Sequence, residues 1–337
     1  MTVKKLPIAA VVIAAAVAGP AFAQSSVTVF GVVDLAARSV KNDARQSRLD
    51  PNGLQTSRLG VRGVEDLGGG LRAGFWLEGA ILADDGNASG FNWQRRSTVS
   101  LSGSFGEVRL GRDKTPSGLN WDELDPFRDT GMGASTRMAT ASGIVPAGGA
   151  YTNFTRASNG IAYFTPGSTG FFGHAAVAAG EGVLGNKYQG LRVGYRQGAL
   201  LASGSYGKTQ VTGNIDAKLL DVGATYDFTS FKLWGLYAKL DMGAASHDNV
   251  LLGVSVPVGN FELRGSYQSM KGKESISNQK AKKFALGASY NLSKRTALYG
   301  TFAKIDNTNT NFTVATGSAL TRGNASTGYE LGMRHAF

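Results

Sequence analysis

Charged side chains recur at alternate positions in the stretch TSRLGVRGVEDLGGGLRAGFWLEGAIL, which begins at Thr56. Arg58 and Arg62 precede its glycines, and Arg72 and Glu78 follow them. A guanidinium group keeps its positive charge at any accessible pH. Fixed charges that line a low-dielectric wall concentrate counter-ions without making or breaking a bond. The chemistry that this spacing indicates is therefore electrostatic.

Catalytic and metal chemistry have weaker support in the sequence. Nucleophilic catalysis requires a nucleophile beside a base, but His174, His247 and His335 have no evident serine or acidic partner in the sequence. The segment DDGNASG at 84–90 lacks the spaced ligands and the closing glutamate of a calcium loop. The chain has no cysteine, so a thiolate metal site is excluded. We expect no enzyme activity, no metal and no cofactor.

Strict alternation is typical of β-strands, because successive side chains point to opposite faces. One face of the stretch around residue 56 carries Leu59, Phe75 and Leu77, and the other carries the charged residues. The same pattern recurs to the end of the chain, in AKLLDVGATYDF, FELRGSYQS, FALGASYNL and GYELGMRHAF. We therefore expect a protein built almost entirely of half-apolar strands.

Short turns alternate with longer polar segments, and seven turns and eight segments predict sixteen strands. Strands of about ten residues cross a bilayer at a tilt, and an even strand number with loops of unequal length is typical of outer-membrane barrels. A charge facing lipid at the midplane costs about 2–4 kcal/mol, so Arg62, Arg72 and Glu78 are assigned to the lumen. The prediction is an all-β, 16-stranded antiparallel transmembrane β-barrel with a water-filled channel. The longer segments are placed near 36–56, 83–92, 112–155, 179–188, 207–217, 241–249, 269–281 and 304–327.

The first residues of the chain have the pattern of an export signal. Lys4 and Lys5 precede a short apolar run, and Ala21-Phe22-Ala23 matches an A-x-A cleavage site. This predicts a signal peptide at 1–23 and one barrel domain at 24–337. The net charge is +11, but the basic residues are spread along alternating strands rather than gathered in one patch. No nucleic-acid partner is expected.

Several stretches together resemble a known family, the general diffusion porins of Gram-negative bacteria. They are SSVTVFGVVD, SRLGVRGVEDLGGGLRAGFWLE, RRSTVSLSG, GEVRLGRD, NLSKRTALYG and the terminal GMRHAF. The sequence is most similar to the betaproteobacterial branch, the neisserial and Comamonas-like porins, which includes anion-selective trimers. The resemblance implies a homotrimer in the outer membrane with periplasmic short turns. It also implies contacts with outer-membrane lipid and lipopolysaccharide.

The resemblance implies an inward-folded third loop, at about 114–153, that narrows the barrel. Its acidic residues Asp122, Glu123 and Asp125 would face a basic cluster on the opposite wall. Family position and alternation both place Arg58 and Arg156 in that cluster. The resemblance favours Arg95 as a third member, whereas alternation with Val99 and Leu101 favours Arg96, and both are retained. Lys114 and Arg137 are weaker candidates, and Arg192, Arg196 and Arg264 are interpreted as solvated lumen side chains.

The function expected from this resemblance is passive, weakly selective and anion-preferring passage of ions and small hydrophilic solutes. Rings of arginine or lysine favour anions, and the acidic loop would create a transverse field across the constriction. The alternative is a substrate-specific channel for phosphate or an organic anion.

Overall fold

The computed structural model describes residues 26–86, 91–140, 144–145, 149 and 151–337. The predicted signal peptide at 1–23 lies outside the described residues, as do 87–90 of the DDGNASG segment and parts of the third loop. In the described portion, no helix is long and apolar enough to cross a membrane.

Within the described residues, seventeen strand segments form one sheet. The third loop, residues 115–155, contains helix α1 (Pro116–Glu123) and a 3-10 helix (Ser135–Met138). The strands are β1 Ser26–Lys41, β2 Arg45–Pro51, β3 Arg58–Gly68, β4 Leu71–Ala80, β5 Arg96–Gly103, β6 Gly106–Lys114, β7 Arg156–Phe164, β8 Gly170–Ala178, β9 Tyr188–Gln197, β10 Leu200–Gln210, β11 Asp216–Asp227, β12 Lys232–Asp241, β13 Ala245–Val258, β14 Phe261–Glu274, β15 Lys280–Asn291, β16 Thr296–Thr308 and β17 Ser326–Ala336.

The sheet closes into a barrel because β1 pairs with β17, from Val32 opposite Ala336 to Lys41 opposite Thr327. Along its other edge, β1 pairs with β3 through its first half and with β2 through its second half. β2 and β3 therefore lie end to end and occupy one strand position. The described chain forms a closed barrel of sixteen antiparallel strand positions, which confirms the predicted count.

Several loops are shorter than predicted from the polar segments. The segment predicted as a loop near 36–56 contains the end of β1, a three-residue turn and all of β2. The segments near 207–217, 241–249 and 269–281 shrink to 211–215, 242–244 and 275–279. Strand pairing extends into these polar segments, beyond the last residues of the apolar alternation. Hydropathy therefore underestimates strand length.

The two faces of the barrel differ as the alternation predicted. Large apolar side chains are exposed on the outer face, with Val99 and Leu252 more than half exposed. Aromatic rings lie near the short turns, where Tyr226, Phe228 and Phe231 pack in succession and Phe261 packs on Tyr290. Such a band of rings is typical of the interfacial region of membrane barrels.

The third loop packs against the opposite, inner face. Asn120 donates to Asp221 of β11 at 2.5 Å, and Lys283 of β15 donates to the Ala134 carbonyl at 2.5 Å. Asp221 and Lys283 alternate with exposed apolar residues, so they face inward. Trp121, Leu124, Phe127, Met132 and Met138 of the loop are buried together with inner-face residues. The apolar core of the described chain therefore lies between the loop and the wall.

Candidate functional site

A bend between β2 and β3 positions Arg58. The carboxylate of Asp34, which is fully buried, accepts the backbone N–H groups of residues 53–55 at 2.7–3.1 Å. The Ser57 hydroxyl donates to the Asp34 carbonyl at 2.9 Å. β3 then begins at Arg58, whose guanidinium donates to the Thr56 carbonyl at 3.0 Å. Backbone groups that the interrupted ladder leaves unpaired are thus satisfied by one side chain.

The structure brings Arg95 and Arg96 to the same place in different ways. Arg96 is the first residue of β5, pairs with Glu78 in register, and lies 4.5 Å above the Trp76 ring. Arg95 precedes the strand, so alternation does not fix its direction, and its Nε bonds the Glu78 carboxylate at 2.6 Å. The β4–β5 register has no shift. Both side chains therefore face the lumen without an extra, bulged residue in the β4–β5 pair.

Two further basic side chains flank the third loop. Arg156 begins β7, and its Nε donates to the Arg95 carbonyl at 2.8 Å. Lys114 ends β6, and its Nζ lies 3.1 Å from the Asp122 carboxylate and 3.4 Å from that of Asp129. Both strand ends thus direct a cation toward the loop that joins them.

These side chains surround one cavity of about 460 Å³, which we call the basic cavity. All four arginines predicted for the cluster line it, as does Glu78. Its charged lining comprises seven basic side chains and four acidic ones: Arg58, Arg95, Arg96, Arg109, Lys114, Arg128 and Arg156, with Glu78, Asp113, Asp122 and Asp129. The excess of basic charge makes the cavity favourable for an anion.

The acidic residues of the loop are arranged differently from the prediction. Asp122 lines the basic cavity, but Glu123 turns away and accepts from Arg192 at 2.7 Å and Arg196 at 2.6 Å. Asp125 is buried, and its carboxylate accepts backbone N–H groups within the loop. The expectation that all three oppose the basic cluster is therefore wrong for Glu123 and Asp125. Glu123 is drawn to the nearer arginine pair, and Asp125 satisfies the loop's own donors.

Charges around the loop hold two of its carboxyl groups in the ionised form. Burial acts to raise the pKa of Glu123, but the Arg192 and Arg196 guanidinium groups outweigh it and the pKa falls below its ordinary value. Burial likewise opposes Lys114 and Arg156 at Asp129, where the net shift of the pKa is also downward. Burial dominates at Asp125 and raises the pKa of its carboxyl group. The acids that face arginines therefore stay charged.

The secondary lumen residues lie on the same inner wall. The Arg62 guanidinium lies 5.0 Å from the Trp76 ring and 5.5 Å from the Phe30 ring. Arg72 lines a second cavity of about 660 Å³ nearer the short turns.

The interpretation of Arg192, Arg196 and Arg264 as simply solvated needs correction. The Arg192 side chain is buried, and it shares Glu123 with Arg196. Arg264 is paired with Glu262 at 2.7 Å. All three of these arginines are therefore paired with a carboxylate. Arg137, a weaker candidate, is not among the residues that line the basic cavity.

Sequence reasoning missed several residues of the basic cavity. Arg109 alternates with Val108 and Leu110, so strand periodicity would have assigned it to the lumen had it been applied there. Its guanidinium bonds Asp113 at 2.9 Å and lies 4.0 Å from the Phe164 ring. Arg128 and Asp129 lie in the loop, where no periodicity indicates the direction of a side chain.

The histidines lie apart from the basic cavity. His174 is buried and stacks on Phe164 at 4.0 Å, and neither of its ring nitrogens has a hydrogen-bond partner among the described residues. His247 contacts Asn249 at 2.9 Å. His335 contacts the Thr296 hydroxyl at 2.9 Å in an exposed position.

Known proteins resemble the chain in both sequence and fold. The model of the Gram-negative porin family matches residues 9–310. Outer membrane porin protein 32 of Delftia acidovorans is 44% identical over 360 residues, covering 99% of this chain and 100% of that protein. An outer membrane porin protein of Bordetella pertussis is 29% identical over 408 residues, with 99% and 100% covered.

Solved structures agree with that assignment. An anion-selective porin from Comamonas acidovorans superposes with a TM-score of 0.84 at 39% identity, covering 93% of this chain and 100% of that one. The trimer form of OmpT from Vibrio cholerae has a TM-score of 0.71 at 16% identity, with 93% and 99% covered, and shares the fold. The chain therefore belongs to the Gram-negative porin family and is a β-barrel channel protein of the outer membrane.

Proposed function

We propose that this porin allows passive, anion-preferring diffusion through a constriction formed by the basic cavity and the third loop. The observation that carries the proposal is the charge of that cavity, where seven basic side chains outnumber four acidic ones. Its residues would act as fixed charges on the diffusion path, and no bond would be made or broken. The Comamonas relative is an anion-selective porin, which supports the same preference here.

The field in the cavity has two components. Arg58, Arg95 and Arg156 lie on the wall, and Asp122 and Asp129 lie on the loop. The net positive charge raises the local anion concentration, because low-dielectric walls focus the field. The wall of the cavity is net positive and the loop is net negative, because its two acidic side chains outnumber Arg128, and this difference creates a transverse field that orients dipolar solutes. Small anions, including phosphate and short organic acids, are therefore the expected preferred solutes.

We infer that the protein works as a homotrimer with one pore in each subunit, embedded in outer-membrane lipid and lipopolysaccharide. The sixteen-strand barrel, its exposed apolar outer face and the trimer form of the Vibrio relative support this assembly. Each subunit has its own closed barrel, so the proposed selectivity depends on residues of one chain.

The zero-current potential across a planar bilayer under a KCl gradient tests the proposal. The wild-type potential should have the anion-selective sign. The Arg58→Ser/Arg156→Ser double variant should bring it closer to zero, because two of the seven basic groups are removed. A cation-selective wild type would contradict the charge assignment while leaving the channel intact.

A matched control separates the cavity from the general charge of the lumen. Arg72→Ser/Arg264→Ser removes two lumen arginines that do not line the basic cavity. The control should change the potential less than the cavity variant does. Equal changes would mean that selectivity is a property of the whole lumen.

A substrate-specific channel for phosphate or an organic anion remains the alternative. Titration of phosphate or malate into the bilayer chambers distinguishes the two. General diffusion predicts conductance that grows in proportion to salt, whereas a specific site predicts saturation and block of the chloride current at low concentrations of one anion.

A further inference from the structure

Two side chains of the third loop press against two glycines on the inner wall. A Cβ atom built on Gly253 of β13 would lie 2.6 Å from Pro126 Cγ, and its three nearest atoms all belong to Pro126. A Cβ atom on Gly287 of β15 would lie 2.8 Å from Phe127 Cε1. Carbon atoms in contact prefer about 3.5–4.0 Å. Any other residue at these positions would displace the loop by about 1 Å.

The backbone does not require glycine at either position. Both residues lie within regular strands, and neither has a positive φ angle. What requires glycine is the space that Pro126 and Phe127 occupy. The Phe127 ring is confined on its other side as well, because a Cβ atom on Gly133 of the loop would overlap it.

The next loop residue, Arg128, has an unusual conformation at a position that faces two cavities. Its φ angle is 57°, in the left-handed region, and its N–H donates to the Asp125 carbonyl at 3.0 Å. Such a conformation is costly for a residue other than glycine and persists only when its surroundings hold it. Arg128 lines both the basic cavity and a cavity of about 710 Å³ on the other side of the loop. Its side chain thus stands where the loop divides the lumen.

The positions of the strands give the direction in which the loop would move. In the ring of sixteen strand positions, β13 lies eight positions from β5, whose first residue is Arg96. A loop displaced from Gly253 and Gly287 therefore moves away from their wall and toward the basic cluster. The passage through the basic cavity would narrow.

We propose that Gly253 and Gly287 are positioning residues that hold Pro126 and Phe127, and that they thereby fix Arg128 as a specificity-determining residue of the constriction. The loop then contributes a cation of its own to the anion path, besides its acidic residues. This inference rests on the proposed function, but it concerns the wall opposite the basic cluster.

Single-channel conductance and zero-current potential of three variants test the inference. Gly253→Ala/Gly287→Ala should lower the conductance while the anion-selective sign remains. Gly235→Ala on the outer face of β12 controls for replacing a strand glycine as such, since a Cβ atom there meets nothing within 4 Å, and it should conduct as the wild type does. Arg128→Asn keeps a residue that tolerates a positive φ angle and should reduce the anion preference.

A rescue experiment separates loop displacement from general destabilisation. In Gly287→Ala, the further change Phe127→Leu removes the ring atoms that the new methyl group meets, and conductance should return toward the wild-type value. If the double glycine variant does not assemble, this rescue pair carries the test alone. Unchanged conductance in Gly253→Ala/Gly287→Ala, failure of the rescue, or an unchanged anion preference in Arg128→Asn would overturn the inference. The Arg58→Ser/Arg156→Ser result would still report separately on the proposed function.

Discussion

Removal of the negative charge of Glu78 should make the channel more selective for anions. Its carboxylate lies between Arg95 at 2.6 Å and Arg58 at 3.6 Å, and it accepts from Trp76 Nε1 at 3.1 Å. Glu78→Gln keeps the shape of the side chain and one acceptor oxygen, which serves the hydrogen bond from Arg95, while the amide nitrogen replaces the oxygen that accepts from Trp76. The basic cavity would then carry one uncompensated positive charge more.

The size of the effect follows from Coulomb's law. The Coulomb energy between a unit charge and an ion about 5–6 Å away in water is about 0.75 kcal/mol. Screening at 0.1 M salt, where the Debye length is about 10 Å, reduces this to about 0.4 kcal/mol. The term favours the anion and disfavours the cation equally, so the anion-to-cation permeability ratio should rise about fourfold. At 1 M salt the Debye length is about 3 Å, and the rise should be only about 1.5-fold.

The assay is the zero-current potential of Glu78→Gln and wild type, measured under gradients centred on low and on high salt. Glu262→Gln is the matched control, since it removes a lumen carboxylate that is paired with Arg264 and does not line the basic cavity. The control should give a smaller change. A permeability ratio that stays constant or falls in Glu78→Gln would refute the idea that this cavity sets selectivity.

Two further predictions concern the third loop. The anion preference should be constant between about pH 7 and 9, because arginines do not titrate there and the pKa values of Glu123 and Asp129 lie below their ordinary values. Below that range buried Asp125, whose pKa is raised to about 6, becomes neutral first, and Glu123 and Asp129 follow at lower pH. Each step removes a negative charge, so the potential should become more anion-selective as pH falls, and a shift toward cations would contradict the assignment. Lys283→Met should destabilise the folded barrel by about 3–5 kcal/mol, because it removes the donor to the Ala134 carbonyl and the positive charge near buried Asp125. Thermal unfolding in detergent measures the loss, and an unchanged melting temperature would mean that the loop does not depend on this contact.

The sequence predicted the barrel well because contact with lipid requires an apolar side chain at every second residue of a strand. Leu59, Phe75 and Val99 had to share one face, and the strand count followed from the alternation. The ends of the strands were predicted less well. β2 has no apolar face, since most of its residues are exposed, and only its pairing with β1 identifies it as a strand.

Sequence reasoning could assign a direction to the site residues that lie in strands, but not to those in the third loop. Arg58 and Arg156 lie at the first residues of strands, and alternation and resemblance agree on them. Arg96 also begins a strand, but alternation alone favoured it, whereas the resemblance favoured Arg95. Within the third loop no repeat fixes the direction of a side chain. The pairing of Glu123 with Arg192 depends instead on the way the loop crosses the lumen, which is a tertiary property that the residue types alone do not determine.

The pairing of β1 with β17 has a consequence for how the protein folds. Most neighbouring strands of the ring are also neighbours in sequence, but this pair joins positions about 300 residues apart, and a flexible chain of that length would lose about 5 kcal/mol of loop-closure entropy if the seam formed first. Ordering the intervening strands brings the two edges together beforehand, so the ten residue pairs of the seam form after those strands. Since an incomplete ring leaves two unpaired edges in hydrocarbon, partial barrels gain little stability. Assembly should therefore be highly cooperative, with closure of the ring as its final and slowest step.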